Sequence, residues 1–364
     1  MTVFDVTNNS AICVLPWVHK FTDIEGDNRP CCFAKKTHDI QQVRDQMLKG
    51  TKPISCAGCY KSEQESGWSW RLRQTKEWLQ KFGEPDIEKP QVQYLDVRFD
   101  PTCNLKCKTC NPNESTLWQK EKKIKIPRVV SNKKYFESIN KKILKKVYLA
   151  GGEPTFIPTY LQFLEELYME NRECEVIINS NLKRLPARWK DIIKKFPRLS
   201  ITCSCDAINE LGTYVRYPLD WEQFEQNVKF ASENANFFQF NLVASNLTTH
   251  KIDTTCNWMK IYSKNINLAI LQTPKPFSEM SVPVAVRDVY LESLEKIQKF
   301  PVGLYHATQF RTQVKYLVKK YSDTNYSKDL HDQLKSEITE QDSHRRLKLQ
   351  DIDGFLYNWI YNKY

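Results

Sequence analysis

The chain has 364 residues, 41% of them hydrophobic, 12 cysteines and a net charge of +11. That length supports a large core and more than one domain. No apolar run is long enough to span a bilayer, and residues 1–10 lack the basic start and apolar core of a signal peptide, so the sequence argues against a membrane protein and for the cytoplasm. Thiols stay reduced there, and clustered cysteines read as metal sites rather than disulfides. The positive charge would suit an anionic partner, nucleic acid included. Much of it is scattered lysine, as at 120–125 and 141–146, which reads as solvated surface.

Residues 1–88 hold Cys13, Cys31, Cys32, Cys56 and Cys59. Cys13 is followed by Pro16-Trp17, His19 and Gly26, then Pro30-Cys31-Cys32. A helix is expected over 41–49, before Cys56-Ala-Gly-Cys59. Glu65-Ser-Gly-Trp-Ser-Trp-Arg71 leads into a second helix that ends near Gly83. Cys56 and Cys59 form a chelating turn, and Cys13 with Cys31 or Cys32 supplies two more thiols. Four thiolates suit a fully ligated iron–sulfur cluster or structural zinc, and spacing does not choose between them. His19 is a further candidate ligand or a hydrogen-bonded structural histidine.

Residues 83–90, with two prolines and charges, read as a linker. A β/α rhythm follows. Strands are expected at 94–100, 146–150, 176–178, 199–203, 237–243 and 268–271, and helices at 160–169, 186–196 and 221–231. Repeated βαβ units imply an α/β fold with a parallel sheet. Beyond 278 the chain reads as helices at 286–300, 308–320 and 330–338. This gives an N-terminal Cys-rich domain at 1–88, an α/β domain at 89–277 and a helical extension at 278–364.

The first strand ends at Cys103-Asn-Leu-Lys-Cys107-Lys-Thr-Cys110. This C-x3-C-x2-C spacing lets one short loop set three thiolates around one iron–sulfur cubane. Three ligands leave one iron open to a substrate or cofactor. The alternatives are three buried cysteines or a zinc knuckle, but no His or fourth Cys lies close in sequence to complete a zinc site. The second strand ends at Gly151-Gly-Glu-Pro154, the third at Asn179-Ser-Asn181 and the fourth at Ser204-Cys-Asp206. All these motifs fall at the carboxyl ends of strands, where parallel sheets collect chemistry.

The three-Cys loop after one strand and Gly-Gly-Glu-Pro after the next resemble the radical SAM superfamily, over about 91–273. The resemblance implies a partial (βα)6 barrel with a 4Fe–4S cluster on Cys103, Cys107 and Cys110. It implies S-adenosylmethionine on the open iron, cleaved reductively to a 5′-deoxyadenosyl radical that takes hydrogen from a substrate. It also implies a cofactor site of Gly151, Gly152, Glu153, Pro154, Asn179, Asn181, Ser204, Asp206 and Arg216. In these roles the glycines let backbone approach the methionine moiety. Glu153 accepts from its ammonium, and Arg216 pairs with its carboxylate. Each has a plainer reading: Glu153 as a helix-start acid, Asn179 and Asn181 as turn residues, Arg216 as a surface ion pair. Relatives often carry an apolar or aromatic residue where this chain has Thr109.

The N-terminal block resembles the SPASM and twitch auxiliary-cluster modules through Cys13, Gly26, Cys31 and the Cys56–Cys59 pair. A glycine five positions before the second cysteine selects Cys31 over Cys32. The resemblance implies a second 4Fe–4S cluster on Cys13, Cys31, Cys56 and Cys59, serving electron transfer. The enzyme would be an oxidoreductase acting on a peptide side chain or small metabolite, with a flavodoxin or ferredoxin as reductant. In most relatives this module follows the barrel, whereas here it precedes it. Cys174, Cys203, Cys205 and Cys256 read as buried apolar residues. One alternative is a radical enzyme modifying a nucleotide or RNA, although the basic residues form no recognisable RNA module. Another is a non-catalytic zinc-binding interaction protein, which accounts for the N-terminal cysteines but not for the three-Cys loop with Gly-Gly-Glu.

Overall fold

The computed structural model describes residues 3–23, 26, 28–36, 39–127, 130–304 and 306–362. Its centre is one sheet of eight strands in the order β2-β1-β3-β4-β5-β6-β7-β8. The strands are β1 His19–Thr22, β2 Asn28–Arg29, β3 Tyr94–Val97, β4 Lys146–Leu149, β5 Glu175–Ser180, β6 Leu199–Ser204, β7 Phe237–Ala244 and β8 Ile266–Ile270. Neighbours pair in parallel except β1 with β2, which pair antiparallel. Among the described residues the two ends of the sheet do not pair, so the barrel is partial.

Alternation along the strands makes two unlike faces. Val147, Leu149, Val176, Ile178, Ile201, Phe238, Phe240 and Leu242 are buried, in one core with the helices Pro158–Asn171, Ala187–Lys195 and Trp221–Asn234. Tyr148, Asn179, Thr202, Gln239, Asn241 and Asn267 alternate with them and are mostly half-buried on the other, polar face. A parallel sheet covered on both faces runs apolar throughout. Alternation here marks a concave face that lines a lumen. Cross-strand pairs order that face: Gln239 Nε2 donates to Thr202 Oγ1 at 2.7 Å, and Asn267 Nδ2 to Asn241 Oδ1 at 2.8 Å.

All six expected strands are present. β1 was not expected, and it changes the organisation. It pairs with β3 from His19↔Tyr94 to Thr22↔Val97, so the Cys-rich segment extends the barrel sheet. A second, smaller core holds Phe4, Cys13, Leu15, Trp17, Cys31, Met47 and Trp78, and it includes Tyr94 of β3. Helix Ile40–Leu48 starts at Asp39, whose carboxylate accepts from Gln41 N. Helix Trp70–Phe82 starts at Ser69 and stops at Gly83, where φ is +75°. The C-terminal helices Arg287–Gln298, Ala307–Asp323, Lys328–Arg345 and Gly354–Tyr361 bury Leu294, Leu317, Ile338, Leu356 and Trp359 in the barrel's own core. Among the described residues no helix is long and apolar enough to cross a membrane.

Candidate active site

The three-Cys loop leaves β3 and is tied down by backbone bonds. Lys106 N donates to Tyr217 O and Lys108 N to Val215 O, each at 2.7 Å. Ser115 Oγ donates to Leu105 O at 2.6 Å, and Trp118 Nε1 to Cys107 O at 2.9 Å. Cys103 is buried, while Cys107 and Cys110 are half-buried. Burial pushes the Cys103 thiol up to about 12 and raises those of Cys107 and Cys110, with Arg216 opposing the rise at Cys107. Such thiols stay protonated until a metal takes them, because coordination deprotonates a thiol outright.

The Gly151-Gly152-Glu153 loop is stitched to the chain that enters this cysteine loop. Gly152 N donates to Asp100 O and Glu153 N to Thr102 O, each at 2.8 Å. A Cβ on Gly152 would stand 2.3 Å from Thr102 O, and one on Gly151, at φ +103°, 2.9 Å from Asp100 O. Backbone 98–102 makes a close approach to both glycines.

Glu153 is 1% exposed. Its Oε1 accepts from Thr155 N at 3.0 Å, Thr155 Oγ1 at 2.6 Å and Ser180 Oγ at 2.7 Å; its Oε2 accepts from Asn181 N at 2.7 Å. Burial lifts its carboxyl, and these donors oppose the rise. Glu153 therefore takes the helix-start geometry, capping the short turn Pro154–Phe156, and it braces that turn against β5. Pro154 is buried at the first position of the turn.

Asn179 and Asn181 part company. Asn179 faces the lumen, where Ser204 Oγ reaches its Oδ1 at 3.4 Å. Asn181 is buried against the cysteine loop, with Nδ2 2.9 Å from Asn104 Oδ1 and 4.0 Å from Cys103 Sγ. Arg216 is not a surface pair. Its side chain is 12% exposed, and Nη1 donates to Asp206 Oδ2 at 2.8 Å. Asp206 Oδ1 also accepts from Val243 N at 3.2 Å. Among the described residues the buried Arg216 Nε has no hydrogen-bond partner. Burial opposes the charge on Arg216, but Cys107 and Asp206 hold its pKa above the usual arginine value.

A cavity of about 400 Å³ opens beside these groups, lined by Phe21, Asp23, Arg29, Arg98, Glu114, Ala150, Gly151 and Asn179. It runs from the Gly-Gly-Glu loop to the strand that the Cys-rich segment contributes. Arg98 is gripped by Asp96 at 2.7 and 3.0 Å and lies 4.6 Å over the Tyr148 ring.

Residues 97–259 match the family model described as the radical SAM superfamily. That stretch of the barrel is a radical SAM domain. No curated protein matches the chain significantly. Among solved structures it is similar to anSMEcpe with bound AdoMet, at 17% identity over 57% of this chain and 59% of that one, TM-score 0.44. It is also similar to Streptococcus suis SuiB bound to S-adenosylmethionine, at 14% identity over 72% of this chain and 61% of that one, TM-score 0.43. A third, anSMEcpe with bound AdoMet and Cp18Cys peptide, matches at 16% identity over 60% of this chain and 61% of that one, TM-score 0.42. The chain spans about three fifths of the length of these structures.

A radical SAM barrel takes a 4Fe–4S cluster and S-adenosylmethionine, and the residues present fit both. Three soft sulfur donors lie on one loop, and the unpartnered Arg216 Nε belongs to a cation electrostatically coupled to Cys107, as a carboxylate-bearing cofactor needs. The sequence reading missed Asn104, Ser180 and Thr155, which hold this arrangement, and it missed Lys108. The Lys108 side chain is 0% exposed and pairs with Asp342 on helix Lys328–Arg345. Tyr214 OH donates to Asp342 Oδ2 at 3.0 Å, and the Lys108 ammonium lies 4.1 Å over the Tyr214 ring. Burial lowers the Lys108 amine to about 8 against the pull of Asp342. Asn104, Lys108 and Ser180 sit inside the motifs, and Thr155 lies one residue beyond Gly151-Gly-Glu-Pro154.

Ahead of the radical SAM barrel, Cys13, Cys31, Cys56 and Cys59 line one pocket with Leu15, Pro30, Phe33, Met47, Trp70 and Arg71. Cys32 is not among the lining residues; its strongest charged neighbours are Arg98 and Asp96. His19 is structural: Nδ1 meets Pro30 O at 3.0 Å and Nε2 lies 3.6 Å from Asp96. Burial pushes the Cys13 thiol up to about 12 and Cys56 to about 11, and raises Cys31 and Cys59. Arg71 opposes this at Cys13, Cys56 and Cys59. It is held by Glu63, from Nε at 2.9 Å and Nη2 at 2.5 Å, and Ser69 Oγ also donates to Glu63. Glu65, in the stretch that drew notice in the sequence, is exposed.

Proposed function

We propose that the chain is a radical SAM enzyme of oxidoreductase type that abstracts hydrogen from a peptide side chain or small metabolite. We further propose that Cys13, Cys31, Cys56 and Cys59 hold an auxiliary 4Fe–4S cluster for electron transfer. The observation that carries this reading is the convergence of four cysteines, spread from 13 to 59, on one pocket whose segment is bonded through β1 to β3. β3 is the strand that leads into the cysteine loop of the barrel.

When bound, the cluster and S-adenosylmethionine supply one-electron cleavage of a carbon–sulfur bond and a carbon radical able to take a hydrogen atom. The chain's own residues do the rest. Cys103, Cys107 and Cys110 would hold the cluster, and three ligands would leave one iron for the cofactor. Arg216 Nε donates to the cofactor's carboxylate, and Asp206 fixes the angle of that guanidinium. Glu153 Oε2, which takes one donor among the described residues, accepts from the ammonium. Asn179 and Ser204 line the lumen as contacts for the nucleoside. The substrate enters the cavity between Arg98, Glu114 and Asn179. The amide pairs deeper on the concave face, such as Asn241 with Asn267, offer donors and acceptors to neutral polar groups such as peptide amides or alcohols. Four cysteine ligands would close every iron of an auxiliary cluster, and such a cluster would supply electron transfer rather than substrate binding.

The test is anaerobic incubation with a reductant, S-adenosylmethionine and deuterium-labelled candidate substrates, with 5′-deoxyadenosine analysed by mass spectrometry. Deuterium in that product names the substrate class. The Cys103→Ala, Cys107→Ala, Cys110→Ala triple variant should make none. Product from the triple variant would withdraw the assignment.

A further inference from the structure

A group of buried charges stands behind the cysteine loop of the barrel. Lys106 and Lys108 flank Cys107 in the sequence. Lys108 is matched by Asp342, one cation to one carboxylate. Lys106 instead shares the carboxylate of Glu121 with Arg345, whose Nη2 and Nε lie 3.0 and 3.3 Å from it. The Arg345 and Glu121 side chains are 0% and 4% exposed. Two cations on one carboxylate leave one positive charge in excess. The Arg345 guanidinium also lies against two rings that hold the loop. It is 4.8 Å from the Trp118 ring, whose Nε1 donates to Cys107 O, and 5.6 Å from the ring of Tyr217, whose carbonyl accepts from Lys106 N. Among the described residues the third guanidinium nitrogen, Nη1, is buried without a hydrogen-bond partner.

Stability does not account for this arrangement. A buried ion network adds little net stability over well-packed apolar residues of similar volume. An unsatisfied buried donor costs the fold as well. Such a group asks for another reason, and a redox role is one of them. The charges also act in one direction. Burial opposes the anionic form of the Cys107 sulfur, while Arg216 and then Arg345 favour it. Arg216 is balanced by its own carboxylate, Asp206. The pairing of Lys106 and Arg345 with Glu121 alone is therefore where the excess charge lies.

We propose that Arg345 is a positioning residue for the barrel's cluster. From the last turn of helix Lys328–Arg345 it braces the cysteine loop, and its charge favours the reduced cluster over the oxidised one. The inference rests on the reading that Cys103, Cys107 and Cys110 hold that cluster. Reduction adds one electron from an external one-electron reductant, and no bond forms or breaks. A buried cation stabilises the more negative state, and groups outside the ligand shell tune the potential of such centres. Glu121 tempers the effect while fixing the guanidinium in place. The C-terminal extension, 224 residues beyond Glu121, would thus serve the electron-accepting step as well as the fold.

The test uses the full chain purified without oxygen, with iron counted in each preparation. Dithionite titrates the paramagnetic signal that shifts on adding S-adenosylmethionine, which marks the barrel's cluster. Arg345→Met keeps the bulk and removes the charge. It should lower the reduction equilibrium constant about tenfold, or about 59 mV for one electron. Arg345→Lys keeps the charge and should stay within about threefold of wild type. Glu121→Gln removes the opposing charge and should raise the constant by about the same factor. Arg345→Met and Glu121→Gln break the same pair, so a purely structural role would move both the same way. Potentials that move together, or that stay put with full iron, overturn the role of Arg345 and leave the three-cysteine cluster standing. If Arg345→Met holds no iron, Glu121→Gln decides: an upward shift supports the proposal, and a downward shift or none overturns it. A wild-type chain with no signal that responds to S-adenosylmethionine overturns the cluster reading itself.

Discussion

Thr102 O stands where Gly152 would carry a side chain, and that contact joins the two motifs of the site. Gly152→Ala should force the strand exit and the Gly-Gly-Glu loop apart. Overpacking of this kind costs about 1–3 kcal/mol, and rigid backbone on both sides puts the expectation at the upper end. Urea unfolding of the metal-free chain measures it, and an unmoved midpoint would mean the loops separate freely. Glu153→Gln keeps the shape of its side chain but turns an NH2 toward groups that are themselves donors. Hydrogen bonds to a charged group are worth about 1.5–3 kcal/mol. The variant should be less stable by about that amount and should bind S-adenosylmethionine roughly tenfold more weakly, with iron retained. Lost stability with unaltered cofactor affinity would leave Glu153 as a brace only. The sequence pointed to both residues through their motif. It could not show what they touch, because Thr102 and Ser180 arrive from other strands.

Among elements, the strands were legible where hydrophobic alternation is strong and illegible where the site begins. The apolar run of β5 ends at Ile178, yet the strand continues to Ser180, because its last residues serve the lumen and the Glu153 brace. Consistency between pattern and structure is expected to fail at functional positions. β1 reads His-Lys-Phe-Thr, with one apolar residue, so no hydrophobic pattern marks it. The helix Gly354–Tyr361 was hidden in an aromatic-rich tail, and its anchor is Asp353. That carboxylate accepts from Leu356 N at 3.0 Å and pairs with His250 at 3.0 Å and Lys251 at 2.6 Å. Burial works to raise its carboxyl, but His250 and Lys251 hold it well below the usual range. A depressed carboxyl contributes stability that is present above the unfolded value, about 4, and is lost as pH falls through the native one. Asp353→Asn should therefore cost about 3 kcal/mol at neutral pH, as breaking a buried pair does. The gap between variant and wild type should close below about pH 4. Unfolding midpoints at neutral and acid pH measure this, and a gap independent of pH would contradict the ion-pair account.

At the scale of the whole molecule, three stretches that read as separate domains share their load. The Cys-rich segment supplies a strand to the barrel sheet. The C-terminal helices place Asp342 on Lys108, inside the cysteine loop, across 234 residues of sequence. No local pattern encodes such a contact, so the scaffold of the cysteine loop stayed unseen in the sequence. The family resemblance grouped Cys13, Cys31, Cys56 and Cys59; in the fold these four line one pocket, and Cys32 is not among its lining residues. The central claim is that this chain carries two iron–sulfur clusters, one on each set of cysteines. The measurement that tests it most directly is the iron and zinc content of anaerobically purified protein, beside the same count for the Cys56→Ala, Cys59→Ala variant. The account predicts about eight iron and no zinc per chain, from two cubanes of four, and about half that iron in the variant. Zinc in place of iron at the N-terminal pocket, lost in the variant while iron stays constant, would contradict it.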